Sequence, residues 1–173
     1  MTAAPSAAWL AWALRAPSGV AELHAFEVDH PTWVAPLRLV KSREATTLKV
    51  DGVAYDFEAA ELELTPPAAA AGELAAELEL VVSSHAAELY ALLAALPSVD
   101  RAAEPVVLRW WRYLETTPDA PEWGPLELTV TEAEGSLSQV TLRASTDYPD
   151  NLPSGLYYTS ERFPWVADNG GDA

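Results

Sequence analysis

The side chains that could do acid–base, nucleophilic or metal chemistry are scattered along this chain. The histidines are His24, His30 and His85. The step from His24 to His30 is not a recurrent zinc-ligand spacing, and His30 precedes a proline turn. Ser83, Ser84, Ser136 and Ser138 carry nucleophilic hydroxyls, but none sits in a Gly-x-Ser-x-Gly elbow and no second residue marks a triad. Glycine is scarce, at eight in all, and no glycine-rich phosphate loop is present. The pairs Glu61/Glu63, Glu77/Glu79 and Glu132/Glu134 fit solvated strand faces or turns, because sequence spacing does not supply the separation a glycosidase dyad needs. With no cysteine, disulfides, iron–sulfur clusters and thiolate zinc sites are excluded. The expectation is a protein that is not an enzyme, with no catalytic residues, no metal site and no cofactor.

Aromatic residues are the more specific signal. Trp110 and Trp111 stand together in Val-Val-Leu-Arg-Trp-Trp-Arg-Tyr. On a strand one points into the core and the other outward, and the flanking Arg109 and Arg112 could stack on them. Trp33 and Trp123 sit near turns and are harder to assign to a core. The stretch Asp147 to Trp165 carries Pro149, Pro153 and Pro164 among Tyr148, Tyr157, Tyr158, Phe163 and Trp165. Proline at that density prevents a continuous helix or a central strand, and aromatics at that density need a surface to bury against. The surface is either the protein's own body or a neighbouring subunit. Trp33, Trp111, Trp123, Tyr157, Tyr158, Phe163 and Trp165 are therefore the candidate interface residues. Phe163 and Trp165 are expected to pack within the chain, and the Tyr157 segment against a neighbour.

Composition bounds the class. The chain has 173 residues, half of them hydrophobic, enough for one domain with a full core. A net charge of −16 and a pI near 4.3 leave no basic patch for phosphates, so specific nucleic-acid binding is not expected. Adhesion to anionic membranes is disfavoured for the same reason. Ala7 to Leu14 is apolar, but it lacks a basic leader and is too short to span a bilayer, which suggests an intracellular start and no membrane insertion.

The elements that would position these residues are mostly strands. Ser6 to Arg15 reads as a short helix stopped by Pro17-Ser18-Gly19. Leu23 to Val28 reads as a strand, and Val34 to Val40 as a second one that Pro36 demotes to an edge or bulge. Thr47 to Val50, the Asp51-Gly52 turn and Val53 to Phe57 form a hairpin. Glu61 to Leu64 alternates acid and leucine, and Leu74 to Val82 has strand period with Glu77 and Glu79 outward. Ser83-Ser84 opens a helix that Pro97 ends, with leucines at 89, 92, 93 and 96. Pro105 opens a strand through Tyr113. Thr117 to Pro125 reads as a loop containing Trp123. Leu126 to Val130 and Ser138 to Ala144 pair across Glu134-Gly135-Ser136. The predicted fold class is mainly β (α+β): a barrel or sandwich of roughly eight strands closed by one packed helix. Its organisation would be an N-terminal helix and lead-in over 1–19, a β body over 20–146 with a helix near 84–96, and an irregular C-terminal arm over 147–173. The expected core is Leu78, Leu80, Val82, Leu89, Leu92, Leu93, Val106, Leu108, Leu128, Val140 and Leu142.

The order of these elements resembles a family of siphophage tail-tip and baseplate hub-domain proteins, similar to the N-terminal β-barrel domain of the lambda minor tail protein L. The resemblance runs from Leu23 to Trp165. It rests on Phe26-Glu-Val-Asp-His-Pro-Thr-Trp33, a strand ending in His-Pro; on Leu37-Arg-Leu-Val-Lys-Ser42; and on Gly52-Val-Ala-Tyr55 after the hairpin turn. It rests also on Glu77-Leu-Glu-Leu-Val-Val82 before a helix, and on Leu152-Pro with Thr159 and Phe163-Pro164 near the end. Trp165 stands where the family has glycine after Phe-Pro, so the end of the arm is expected to pack differently. Without cysteine, the iron–sulfur domain of the lambda-type protein is not expected here. The resemblance implies a structural virion protein of the tail tip, assembled in the host cytoplasm. It would form a ring of its own copies, three-fold or alternatively six-fold. Its neighbours would be the tail tube or distal tail protein, the central hub protein and the tape-measure protein. Some of its acidic residues would face the channel, where repulsion lets DNA slide. Two other readings remain open from the residues: a carbohydrate-binding β-sandwich module that stacks sugars on exposed Trp33, Trp111 and Trp123, and an enzyme with an unmarked site.

Overall fold

A computed structural model describes residues 20–65, 77–97 and 104–146. The expected N-terminal helix, the Leu74 end of its strand and the C-terminal arm lie outside the described residues. Within them the chain runs β1 (Glu22–Asp29), β2 (Leu37–Val40), β3 (Thr46–Val50), β4 (Val53–Ala59), β5 (Leu62–Thr65), β6 (Glu77–Val82), α1 (Ala86–Ala95), β7 (Val107–Leu114), β8 (Trp123–Ser136) and β9 (Gln139–Ser145). Among the described residues the protein is mainly β with one helix, as its alternating apolar runs imply.

The strands form one mixed sheet in the order β3-β4-β2-β1-β7-β8-β9-β6-β5. The described neighbours pair antiparallel except β2 and β4, which are parallel. The sheet does not close into a barrel, which corrects that half of the barrel-or-sandwich expectation. The reason lies at Ala60 and Glu61. β4 pairs with β2, and β5 pairs with β6 at the far end of the order, yet only these two residues separate β4 from β5. The Ala60 amide still bonds the Val40 carbonyl at 2.9 Å, while the Glu61 carbonyl already accepts from the Ser83 amide at 3.1 Å. The chain itself crosses from one end of the sheet to the other, so the sheet must roll until its halves face each other.

Local chemistry sets the boundaries. The β3–β4 turn forms as expected, with Asp51 at φ 51° and Gly52 at φ 81°, the left-handed region a two-residue hairpin needs. The second strand begins only at Leu37, because Pro36 has no amide to enter the ladder, and Val34 is left fully exposed. The expected loop at Trp123 is instead the start of β8, which pairs Trp123 with Arg112 across a bulge. Gly124 suits this crowded point: its φ is 104°, and a Cβ there would meet the Trp110 carbonyl at 2.6 Å. The β8–β9 turn is Leu137-Ser138, with Ser136 opposite Gln139, two residues beyond the expected position. α1 starts after His85 rather than at Ser83-Ser84, since the Ser84 hydroxyl accepts the Glu61 amide at 2.9 Å and does not cap the helix.

Two apolar clusters lie on opposite faces of β1 and β7. The main one fills the roll beneath α1 and contains ten of the eleven expected core residues. Leu92 is the exception: Ala86, Leu89 and Leu93 form the buried stripe of α1, and Leu92 falls on its flank, half-buried. The second cluster is Leu23, Ala25, Val40, Leu48, Phe57, Trp111 and Tyr113, covered by the β3–β4 hairpin.

Candidate functional site

β1 and β7 place alternate residues on the two faces, and this decides where the tryptophans go. Phe26 pairs with Trp110 toward the main cluster; Ala25 pairs with Trp111 toward the second. Trp111 is 2% exposed and meets Phe57 edge-on at 6.3 Å between ring centroids. Its expected outward position is therefore corrected: it does point away from the main core, but the hairpin covers that face too. Trp123 lies half-buried, edge-on to Trp110 at 4.9 Å. Trp33, also half-buried, packs against the main cluster. Trp33, Trp111 and Trp123 thus do not share one exposed platform. Tyr157, Tyr158, Phe163 and Trp165 lie outside the described residues.

The histidines have structural settings. His30 is almost fully buried. Its Nε2 donates to the Glu104 carbonyl at 2.7 Å, and its Nδ1 lies 2.8 Å from the Thr32 hydroxyl. The Trp33 amide closes the same turn on the His30 carbonyl at 2.9 Å. His24 stacks on Trp110, accepts the Trp110 indole N–H at its Nδ1 (3.2 Å), and has Nε2 3.9 Å from Glu22. Glu22 in turn is bonded by Arg112. Burial pushes the His24 pKa below its ordinary value; Glu22 opposes this, and Arg112 and Lys41 add to it. The ring is held neutral, with Nδ1 accepting.

The arginines beside the tryptophans pair with acids rather than stacking on indoles. Glu27, buried at the margin of the second cluster, accepts from Arg38 Nε at 2.7 Å and from Arg109 Nη1 at 2.8 Å. Arg109 also donates to Glu127 at 2.9 Å, and Arg38 lies 4.2 Å above the Tyr55 ring. The serine hydroxyls are engaged locally: Ser84 by the Glu61 amide, and Ser136 with Ser138 at 3.0 Å on the hairpin tip.

The feature with most capacity for interaction is the outer half of β8. β7 pairs with β8 only as far as Thr129, and the Val106 carbonyl takes the Val130 amide. From Thr131 to Ser136 the strand is paired only with β9 among the described residues, and residues 131–139 are all exposed. Leu137 at its tip is 68% exposed. Glu132 and Glu134, expected on a solvated strand face or turn with Glu134 opening the turn, both stand on this extended strand, where Arg143 ties Glu132 (2.6 Å) to Glu79 (3.1 Å). Among the described residues no helix is long and apolar enough to cross a membrane. No family model matches the chain, and no curated protein matches its sequence.

Proposed function

We propose that this chain is a structural protein of a siphophage tail tip, one subunit of a ring that joins the tail tube to the receptor-binding hub around the tape measure and the exiting DNA. The observation that carries this reading is the edge of β8 from Thr131 to Ser136, which among the described residues has no partner on the side away from β9. An unpaired strand edge is a template for another strand, and pairing between copies is the direct way to satisfy it. Glu132 and Glu134 discourage pairing with arbitrary chains and so favour a specific partner. The motif order of the resemblance agrees with the elements: His30-Pro31 follows β1, the Gly52 turn joins β3 to β4, and Glu77–Val82 precedes α1. Three-fold symmetry is the favoured ring and six-fold the alternative. A reconstruction of the intact tail tests this: copies should encircle the axis with the β8 edge against an adjacent subunit. A single copy off the axis, or a ring in which that edge faces solvent, would reject it. The carbohydrate-binding reading has no comparable support, because Trp111 is enclosed and Trp33 and Trp123 pack on the main core.

A further inference from the structure

Glu58 on β4, His85 at the start of α1 and Glu88 in its first turn bring three ligand atoms within 4.8 Å of one another. His85 Nδ1 lies 3.4 Å from Glu58 Oε2 and 3.6 Å from Glu88 Oε2. On its other side, His85 Nε2 lies 3.2 Å from the Ala59 carbonyl. A carbonyl only accepts, so Nε2 carries a proton, and the ring is held with Nδ1 facing both carboxylates. This is the backbone-anchored geometry typical of metal-binding histidines. Charge-assisted hydrogen bonds are shorter, about 2.7–2.9 Å. For a tetrahedral ion with bonds of about 2.1 Å, neighbouring ligand atoms lie about 3.4 Å apart, which is close to the two measured separations.

We infer that Glu58, His85 and Glu88 form a binding site for a borderline divalent cation of the Zn²⁺ type. One imidazole nitrogen with two carboxylates suits zinc or cobalt better than calcium or magnesium, which take oxygen ligands. Both carboxylates are more than half exposed, so water completes the coordination. The positive end of α1 works against a cation, so both carboxylates are needed. The bound ion ties the start of α1 to β4, where the chain crosses between the ends of the rolled sheet. This holds whether or not the protein is a tail component.

The untagged full chain serves for the test. Its other histidines are committed, His24 Nδ1 to Trp110 and His30 to Thr32 and Glu104. Titration with ZnCl₂ by calorimetry is expected to show one saturable site and a raised Tm, and CoCl₂ to give the visible absorption of a four-coordinate ion. Glu58→Gln and Glu88→Gln keep the side-chain shape and should each weaken binding by roughly tenfold or more; His85→Gln should remove the cobalt spectrum. Far-ultraviolet circular dichroism checks that the variants fold. No saturable binding at millimolar metal, or binding that survives these substitutions in a folded protein, would overturn the site; the latter marks diffuse attraction to an acidic surface.

Discussion

The two apolar clusters share β1 and β7 but are built differently. The cluster under α1 is mostly aliphatic and draws on strands from both halves of the sheet. The cluster under the β3–β4 hairpin is small and centred on Phe57, Trp111 and Tyr113. The first follows from the roll of the sheet; the second exists because a hairpin of 5- and 7-residue strands folds over the outer face. Both faces of β1 are covered, with Ala25 on one and Phe26 and Val28 on the other all fully enclosed. A strand of this kind cannot be divided into an inside and an outside. Trp110 and Trp111 are therefore both core residues, in different cores.

The comparison can be broken most severely at α1. Leu89→Asp places an unpaired carboxylate in the main cluster, where Leu89 has no exposure. It should abolish cooperative unfolding, seen as loss of the denaturant transition, whereas Leu92→Asp on the flank should leave a folded, weakened protein. Trp111→Ala attacks the second cluster alone and should cost about 3–5 kcal/mol by denaturant unfolding. Hydrogen exchange read alongside sharpens it: if the cores are coupled, amides in β6 and β9 lose protection together with those in β3 and β4, and if not, only the hairpin does.

Smaller effects probe polar groups at the margins. Glu27→Gln keeps the shape but removes the charge that Arg38 and Arg109 share, and should cost about 1.5–3 kcal/mol. Tyr113 is fully buried, and its hydroxyl donates to the Lys49 carbonyl at 2.9 Å, tying the hairpin to β7. Burial raises its pKa. Tyr113→Phe should cost about 1 kcal/mol by the same measurement. The last probe is pH. His24 has a folded pKa below its unfolded value near 6.5, so its neutral form stabilises the fold above pH 6.5, and this is lost as pH falls through the lowered pKa. Tm should drop over that window, and His24→Gln should flatten the dependence. An unchanged slope in the variant would assign the acid sensitivity to other groups.

Much of the body was legible in the chain. Asp51-Gly52 marked its hairpin because positive φ is a local requirement, and the leucines of 78–82 and 89–93 marked the core because burial imposes period on sequence. Less legible were features set by partners far along the chain. Trp123 looks like a loop residue until β7 pairs with it, and Glu134-Gly135 looks like a turn until β9 is set in register. The Glu58, His85 and Glu88 group was missed because Glu58 is remote in sequence; the one local hint was the helical spacing of His85 and Glu88.

By itself the sequence determined a cysteine-free, acidic, mainly β protein with a helix packed near 84–96, its clearest hairpin and nearly all of its main core, since these depend on composition, period and turn chemistry. Only the tertiary structure decided that the sheet rolls without closing, that Trp111 is enclosed, and that, among the described residues, β8 extends beyond its pairing with β7. Those outcomes depend on which strands become neighbours. Pairing between distant segments is set by the packing of the whole sheet, and no local pattern records it.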